Sequence, residues 1–231
     1  MTVTADATLI FGATRRTGLE VARLLTARGE KVVAFARPAS DLAALRALPL
    51  EQIVYGDVCD PVSVSKAFAA GWFKSVVCTI GASRGQGTRP DVIGVQNIVD
   101  SMKKLGRAVP RLAVVTAIGA GDSRGAVAPK VLEVLGTVLR LKTEAEDCVR
   151  ASGLDWVILR PGGMTDDPAS GTAIRTEDHS VMGVINRADL ARLVVDCLED
   201  PSSGGRVFHT IDPAIQRQAP LQRGEDLPAR T

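Results

Sequence analysis

Two glycines, Gly12 and Gly18, lie between a short apolar segment and a helical pattern near the start of the chain. Glycines in such a turn permit a tight bend and let backbone N–H groups approach a pyrophosphate at the positive end of the helix. Arg15 or Arg16 replaces the middle glycine, depending on whether the spacing is taken as GxxGxxG or GxxxGxG. The turn predicts a phosphate-binding site; an ordinary turn that binds nothing is the alternative. We assign six residues to the site: Gly12, Thr14, Arg15, Arg16, Thr17 and Gly18.

A second signal lies at Arg37, which directly follows the second predicted strand. Dinucleotide folds that are specific for NAD place an acidic residue here to bind the ribose 2′-OH, whereas an arginine meets a 2′-phosphate. Arg37 therefore predicts NADP(H) as the cofactor. After the third strand we expect Asp57 and Val58 to border the adenine. After the fourth strand we expect Ile80 and Gly81 to line the middle of the cofactor site.

The elements that must position these residues alternate along the chain as short β-branched segments and longer helical patterns. Segments that are apolar throughout are typical of strands buried on both faces, in a parallel sheet that helices cover on each side. We therefore predict a single α/β domain over residues 1–215, a doubly wound, Rossmann-like parallel sheet, followed by a polar tail at 216–231. Strands are predicted at Thr8–Phe11, Lys31–Ala36, Gln52–Tyr55, Ser75–Ile80, Leu112–Thr116, Trp156–Leu159 and Val207–Ile211. Helices are predicted at Leu19–Arg28, Asp41–Leu48, Pro61–Ala70, Asp91–Leu105, Pro129–Ser152 and Arg187–Leu198.

The substrate side of such a domain is built from loops at the carboxyl ends of the strands. Three loops are expected there: Ala82–Pro90, Ile118–Pro129 and Pro161–Asp178. The third begins with a Pro-Gly turn, and we expect Pro161 and Gly162 to pack beside the nicotinamide.

Composition excludes several other classes of protein. Two histidines and four cysteines without CxxC spacing argue against a metal site and favour reduced thiols. A net charge of +2 gives no reason to expect nucleic acid or a membrane as partner, and no apolar segment is long enough to span a bilayer. We therefore expect a cytoplasmic protein with a small-molecule partner. The apolar stripe of Val131–Leu141 would serve a homodimer, but burial against the sheet explains the same stripe, so a monomer is expected.

Six segments together resemble one family. They resemble the atypical short-chain dehydrogenase/reductase group with NAD(P)H-binding folds, and within it the small members of the biliverdin-IXβ and flavin reductase type. The resemblance extends from Thr8 to Ile211 and implies the fold and the cofactor class, but no substrate. The segments are LIFGATRRTG (9–18), FAR ending at residue 37, YGDVCDP (55–61), VVTAIGA (114–120), LKTEAEDCVRASGLDWVILRPGG (141–163) and INRADLARLVVDCLEDP (185–201).

The resemblance assigns roles to two further residues. In the broader superfamily a Tyr-x-x-x-Lys pair acts: the lysine binds the nicotinamide ribose and the tyrosine transfers a proton. Lys142 matches the lysine, but Val138 stands where the tyrosine is expected, and Tyr55, the sole tyrosine, ends the third strand. Thr116 keeps the hydroxyl expected after the fifth strand, so Thr116 and Lys142 are the candidate catalytic residues. The alternatives are a surface lysine paired with Glu146 and a threonine hydroxyl that is satisfied locally.

The missing tyrosine bears on the reaction. Hydride transfer to a carbonyl leaves an alkoxide and needs a positioned acid, which contributes about 10²–10⁴-fold. Conjugated acceptors spread the incoming charge, so we predict an NADPH-dependent reductase of flavins, quinones or linear tetrapyrroles such as biliverdin. One alternative is a non-catalytic NADP(H)-binding sensor, like the NmrA-type regulators of the superfamily. Another is an epimerase or ketoreductase with a proton donor from a loop, for which His179 is a candidate.

Overall fold

The computed structural model describes residues 3–81, 90–105 and 110–215. The tail at 216–231 and residues 82–89 of the first predicted substrate loop lie outside this part of the chain. The strands are β1 (Val3–Phe11), β2 (Val32–Ala36), β3 (Gln52–Tyr55), β4 (Gly71–Cys78), β5 (Arg111–Val115), β6 (Trp156–Pro161), β7 (Gly163–Thr165), β8 (Ile174–Thr176), β9 (Val184–Asn186) and β10 (Arg206–Ile211). The helices are α1 (Arg16–Ala27), α2 (Ala43–Arg46), α3 (Pro61–Ala69), α4 (Val95–Lys103), α5 (Pro129–Arg150) and α6 (Arg187–Glu199). A π-helical turn at Pro90–Gly94 precedes α4, and 3₁₀ turns lie at Gly121–Ala126 and Pro201–Ser203.

The main sheet has eight strands in the order β3-β2-β1-β4-β5-β6-β10-β8. All of its strand pairs are parallel except the pair of β10 with β8 at the edge. The chain moves outward from β1 in one direction and then returns to β4 beside it, so the order reverses between β1 and β4. This order confirms the doubly wound α/β fold, and such reversal points are where ligands bind in sheets of this class.

Two layers of helices cover the sheet, because consecutive residues of β1 are buried on opposite faces. Ile10 belongs to the apolar cluster under α1 and α6, with Leu25 and Leu190. Leu9 belongs to the cluster under α3, α4 and α5, as does Ile98. Burial on both faces explains why the strand has no alternating pattern in the sequence.

The segment predicted as the loop Pro161–Asp178 differs from the expectation. It contains β7, which pairs with β9, and β8, which adds an antiparallel strand to the edge of the sheet. The sheet is therefore mostly parallel, with an antiparallel strand at this edge that the sequence analysis did not predict. Each of these strands has three residues and is partly exposed, which leaves little of the apolar signal that marks the buried strands.

The explanation given for the apolar stripe of α5 is also wrong. Between residues 131 and 141 only Leu139 is buried, while Val134 is 66% exposed. Burial against the sheet therefore does not account for the stripe, and the monomer stays a prediction. Among the described residues there is no helix of the length and apolarity needed to cross a bilayer.

Candidate functional site

A cleft of about 650 Å³ opens at the carboxyl ends of β1, β2, β4 and β5, where the strand order reverses. It unites the glycine turn, the end of β2, the ends of β4 and β5, and one face of α5. The sequence-predicted residues that line it are Gly12, Thr14, Arg15, Arg16, Thr17, Gly18, Arg37, Asp57, Val58, Ile80, Gly81, Thr116 and Lys142.

The glycine turn is packed too closely for side chains. A Cβ on Gly18 would lie 2.2 Å from the carbonyl oxygen of Gly12, and a Cβ on Gly12 would lie 2.6 Å from Oγ1 of Thr79. Gly12 also has a positive φ of 93°. The turn leads directly into α1. Arg15 is the N-cap residue of this helix, and its side chain makes no capping hydrogen bond. Because the first N–H groups of a helix have no partner within it, this end of α1 suits an anion in the cleft.

Arg16 holds the glycine-like position of the turn. Its φ is +53°, in the left-handed region that glycine enters freely and other residues enter at a cost. Arg15 is extended, with φ −160°. The spacing is therefore GxxxGxG with Arg16 in the middle place, and a strained backbone holds its side chain at the cleft.

We expect Arg16→Gly to stabilise the free protein and to weaken cofactor binding. The left-handed conformation costs a non-glycine residue about 1–2 kcal/mol, and glycine removes this cost. Glycine also makes the unfolded chain more flexible, which offsets part of the gain in stability. Loss of the guanidinium removes a donor for phosphate. Thermal unfolding and NADPH titration of the same variant test both parts. A variant that is less stable and binds NADPH as well as the wild type would contradict this assignment.

Positive charge is concentrated at the adenosine end of the cleft. Arg15, Arg16 and Arg37 are all exposed there. Asp57 lines the same end, and its Oδ1 accepts a hydrogen bond from the backbone N–H of Cys59 at 2.8 Å, which fixes the turn after β3. Three guanidinium groups around a helix N-terminus fit the phosphates of a dinucleotide. The cleft therefore fits the cofactor class that the sequence predicts.

Lys142 lies at the other end of the cleft. Its Nζ is 2.6 Å from Oδ1 of Asp91 and donates a hydrogen bond to the carbonyl oxygen of Ile80, also at 2.6 Å. Lys142 and Asp91 are both buried, so the alternative of a surface lysine paired with Glu146 does not describe the structure. Lys142 also lines the cleft. Asp91 was missed by the sequence analysis, since nothing local marks the partner of a lysine 51 residues further on.

The hydroxyl of Thr116 enters a buried polar network behind the cleft. It donates to Oε1 of Glu146 at 2.7 Å. Arg160 donates to both oxygens of the same carboxylate, at 3.0 and 2.7 Å, and Arg150 adds a bond of 3.0 Å to Oε2. The side chains of Arg160 and Glu146 have no solvent exposure. The proton of Thr116 is therefore directed at a buried carboxylate of α5, which is a tertiary partner and not a local one.

The network continues to the surface through Asp122. Partial burial opposes the charged form of this carboxyl, but hydrogen bonds from Arg160 and His179 outweigh burial and hold its pKa well below the usual range. A carboxyl whose pKa is lowered by folding contributes stability at neutral pH, and that contribution is lost only in strong acid.

The candidate proton donors of the sequence analysis lie away from the cleft. His179 is hydrogen-bonded through Nδ1 to Asp122 and through Nε2 to the carbonyl oxygen of Val207. The hydroxyl of Tyr55 accepts from Arg46 on the surface. Val138 does line the cleft and is 37% exposed. Among the described residues that line the cleft there is no histidine, tyrosine or glutamate, and its aspartate is Asp57, in the turn after β3.

Pro161 and Gly162 are not brought to the cleft, contrary to the expectation that they pack beside the nicotinamide. The carbonyl oxygen of Pro161 accepts from the N–H of Ile118, and the N–H of Gly162 donates to Thr210, so this turn is tied into the sheet. Met164, just after it, does reach the lining. Other lining residues that the sequence analysis missed come from several separate elements and include Ser40, Cys59, Thr79, Leu135 and Arg187. Arg187 stands in the quoted segment INRADLA, and its position at the start of α6 is the signal that might have found it.

Comparison with known proteins decides the family. Residues 12–201 match the model of a family described as NAD(P)H-binding. The chain belongs to the NAD(P)H-binding family. This membership, together with the neighbours below, confirms the resemblance to atypical short-chain dehydrogenase/reductases and makes the chain an oxidoreductase-like member of the NAD(P)H-binding family.

Relatives of this NAD(P)H-binding protein include reductases. The structure of ChuY, an anaerobillin reductase from Escherichia coli O157:H7, superposes with a TM-score of 0.79 at 30% identity, over 91% of this chain and 99% of that one. An uncharacterised chloroplastic protein of Arabidopsis thaliana is 28% identical over 94% of this chain and 80% of its own length. Divinyl chlorophyllide a 8-vinyl-reductase of Oryza sativa is 27% identical over 95% of this chain, which spans 57% of that protein.

Proposed function

We propose that the protein is an NADPH-dependent reductase that transfers hydride to a conjugated acceptor, such as a flavin, a quinone or a linear tetrapyrrole. The observation that carries the proposal is Val138, an apolar side chain on the wall of the cofactor cleft, four residues before Lys142. A cleft built for a nicotinamide cofactor but without a protein acid at this point suits acceptors that delocalise the incoming charge and take their proton from water.

The wall around Val138 supports the same acceptors. Leu135, Val138, Met164 and Pro90 all line the cleft and offer an apolar surface to a planar ring system. The relatives named above reduce anaerobillin and divinyl chlorophyllide, which are conjugated molecules of this kind. In this proposal the chain binds and orients the cofactor: Lys142, which lines the cleft, binds the nicotinamide ribose, and bound NADPH supplies the hydride.

Turnover of NADPH with FMN, biliverdin and menadione, followed by the loss of absorbance of the reduced nicotinamide, tests the proposal. We expect oxidation of NADPH with at least one of these acceptors and none with simple ketones. If the protein reduces simple ketones but none of the conjugated acceptors, the proposal is wrong.

The preference for NADPH rests on Arg37. It lies at the end of β2 in the cleft, with Arg15 and Arg16 across from it. We expect Arg37→Asp to raise KM for NADPH at least about tenfold and to leave KM for NADH nearly unchanged, because one charge-assisted bond to phosphate is worth about 1.5–3 kcal/mol.

A matched control separates this effect from a general change of charge. Arg28→Asp makes the same change at the end of α1, outside the cleft, where Arg28 pairs with the exposed Glu199. We expect it to leave both KM values unchanged. Equal losses for NADPH and NADH in Arg37→Asp would contradict a role for Arg37 at the 2′-phosphate.

A second candidate is a sensor that binds NADP(H) without turnover. Val138 and the left-handed Arg16 favour it, because both depart from the pattern of the catalytic members. Tight NADPH binding with no oxidation by any acceptor is the result that would select the sensor. An epimerase or ketoreductase is less well supported, since no histidine, tyrosine or glutamate is among the described residues that line the cleft, and its Asp57 lies in the turn after β3.

A further inference from the structure

We propose that Thr116 acts toward the bound acceptor only as a hydrogen-bond acceptor, and that Glu146 and Arg160 are the positioning residues that impose this polarity. The inference rests on the proposed reductase function and deepens it. It predicts that the site prefers conjugated acceptors bearing an N–H donor over those that present only carbonyl oxygens.

The direction of the Thr116 hydroxyl follows from the donors around Glu146. Three N–H···O bonds reach its carboxylate from Arg160 and Arg150, so both oxygens already serve as acceptors. The short bond to Thr116 is therefore donated by the threonine. A hydroxyl has one proton and two lone pairs, so Thr116 has only lone pairs left for the cleft that it lines.

Arg160 holds this arrangement in place. Its guanidinium bridges Glu146 to Asp122 and is fully buried, so rotation of the Glu146 carboxylate would break two bonds to a buried charge. A Cβ on Gly121 would lie 2.1 Å from Nη2 of Arg160, which shows how closely the backbone surrounds the group. Thr116 therefore cannot turn its proton into the cleft without leaving a buried carboxylate short of a donor.

The consequence is selection by hydrogen-bond polarity. A ring N–H beside the reacting centre finds a partner in the oxygen of Thr116. A carbonyl oxygen at the same place meets lone pairs, and this repulsion grows as the oxygen gains negative charge during reduction. A mismatch in hydrogen bonding inside a buried site discriminates between two substrates more strongly than a difference of one methylene group in an apolar pocket.

Thr116→Val and Thr116→Ser test the inference with two probes. Lumiflavin carries a ring N–H, and menadione has only carbonyl oxygens. For Thr116→Val we expect KM for lumiflavin to rise about threefold to tenfold, which corresponds to the loss of one neutral hydrogen bond. We expect kcat/KM for menadione to rise, because the lone pairs that repel its carbonyl oxygen are gone. Thr116→Ser keeps the hydroxyl and should behave as the wild type. An equal rise in KM for both acceptors, or no rise in KM for lumiflavin, would overturn the inference.

Glu146→Gln tests the positioning role. The amide oxygen can take the place of Oε2, which accepts from Arg160 and Arg150. Its NH₂ group then replaces Oε1, donates to Thr116 and frees the threonine proton for the cleft, while Nε–H of Arg160 loses its acceptor. We expect the ratio of kcat/KM for menadione over lumiflavin to rise relative to the wild type. An unchanged ratio in a folded variant would show that Glu146 has only a structural role. If Glu146→Gln does not fold, the two Thr116 variants still decide the polarity.

Binding separates this inference from the proposed function. Lumiflavin binding in the presence of NADP⁺ is followed by the fluorescence of the flavin, without turnover. If none of the acceptors supports oxidation of NADPH by the wild type, the reductase proposal fails. Weaker lumiflavin binding by Thr116→Val, together with unchanged binding by Thr116→Ser, would still support the proposed hydrogen-bond polarity of Thr116. If the wild type binds no lumiflavin at all, the inference fails too.

Discussion

Replacing Gly18 by alanine should nearly abolish cofactor binding while the rest of the domain stays folded. The new Cβ would lie 2.2 Å from the carbonyl oxygen of Gly12 and 2.6 Å from Oγ1 of Thr79, so the turn must open. Such overpacking costs about 1–3 kcal/mol of stability. The larger effect falls on the cofactor, because displacing the start of α1 removes charge-assisted bonds to phosphate, each worth about 1.5–3 kcal/mol.

We expect the Kd for NADPH of Gly18→Ala to rise at least about 100-fold, as measured by titration of reduced-nicotinamide fluorescence. Gly136→Ala is the matched control. Nothing lies within 4 Å of a Cβ at this helical position, so alanine should stabilise the protein by about 0.5–1 kcal/mol and leave the Kd unchanged. Wild-type affinity in Gly18→Ala would show that phosphate does not bind at this turn.

Arg160→Met should cause the largest loss of stability among the substitutions considered. Methionine is similar in length but leaves Glu146 buried without its bidentate partner. Breaking a buried ion pair by removing one member costs about 3–5 kcal/mol. For a domain of this size the loss corresponds to a decrease in Tm of about 6–20 °C, measured by thermal unfolding.

Two further variants identify the cause of that loss. Arg150→Met removes the partly exposed arginine from the same carboxylate and should cost no more than about 1 kcal/mol. The double variant Arg160→Met/Glu146→Leu removes both buried charges and should be more stable than Arg160→Met alone. A double variant that is less stable than the single one would mean that the guanidinium acts through packing and not through its charge.

The fold could be predicted from the sequence because its strands are buried on both faces. The predicted strand Lys31–Ala36 differs from β2 by one residue, and every residue of β2 is buried. The helix predicted from Pro61 begins where α3 begins. Such segments have a local signature: a run of apolar side chains, or a proline in the first turn. The short strands β7, β8 and β9 have none, since their pairing depends on distant segments that the sequence alone does not bring together.

The candidate site divides in the same way. The glycine turn and Arg37 can be recognised in the sequence because their function depends on their position relative to a strand and a helix. The partner of Lys142, Asp91, and the partner of Thr116, Glu146, cannot be recognised in this way, because only the tertiary fold brings the members of each pair together. Helical spacing offered a pair of Lys142 with Glu146 as the alternative to ribose binding, whereas tertiary packing directs Lys142 to Asp91 and Glu146 to Arg160.

The pairing of Lys142 with Asp91 has a consequence for how a dinucleotide enters the cleft. That ammonium lies against a buried carboxylate, and Arg187 is likewise paired with Asp166, whereas Arg16 and Arg37 expose their guanidinium groups at the other end of the cleft. The field of such exposed charges extends about 10 Å at 0.1 M ionic strength. We therefore expect the phosphate-rich half of the cofactor to bind first and in a salt-dependent manner. We expect the nicotinamide half to bind next, through short-range contacts that depend little on the salt concentration.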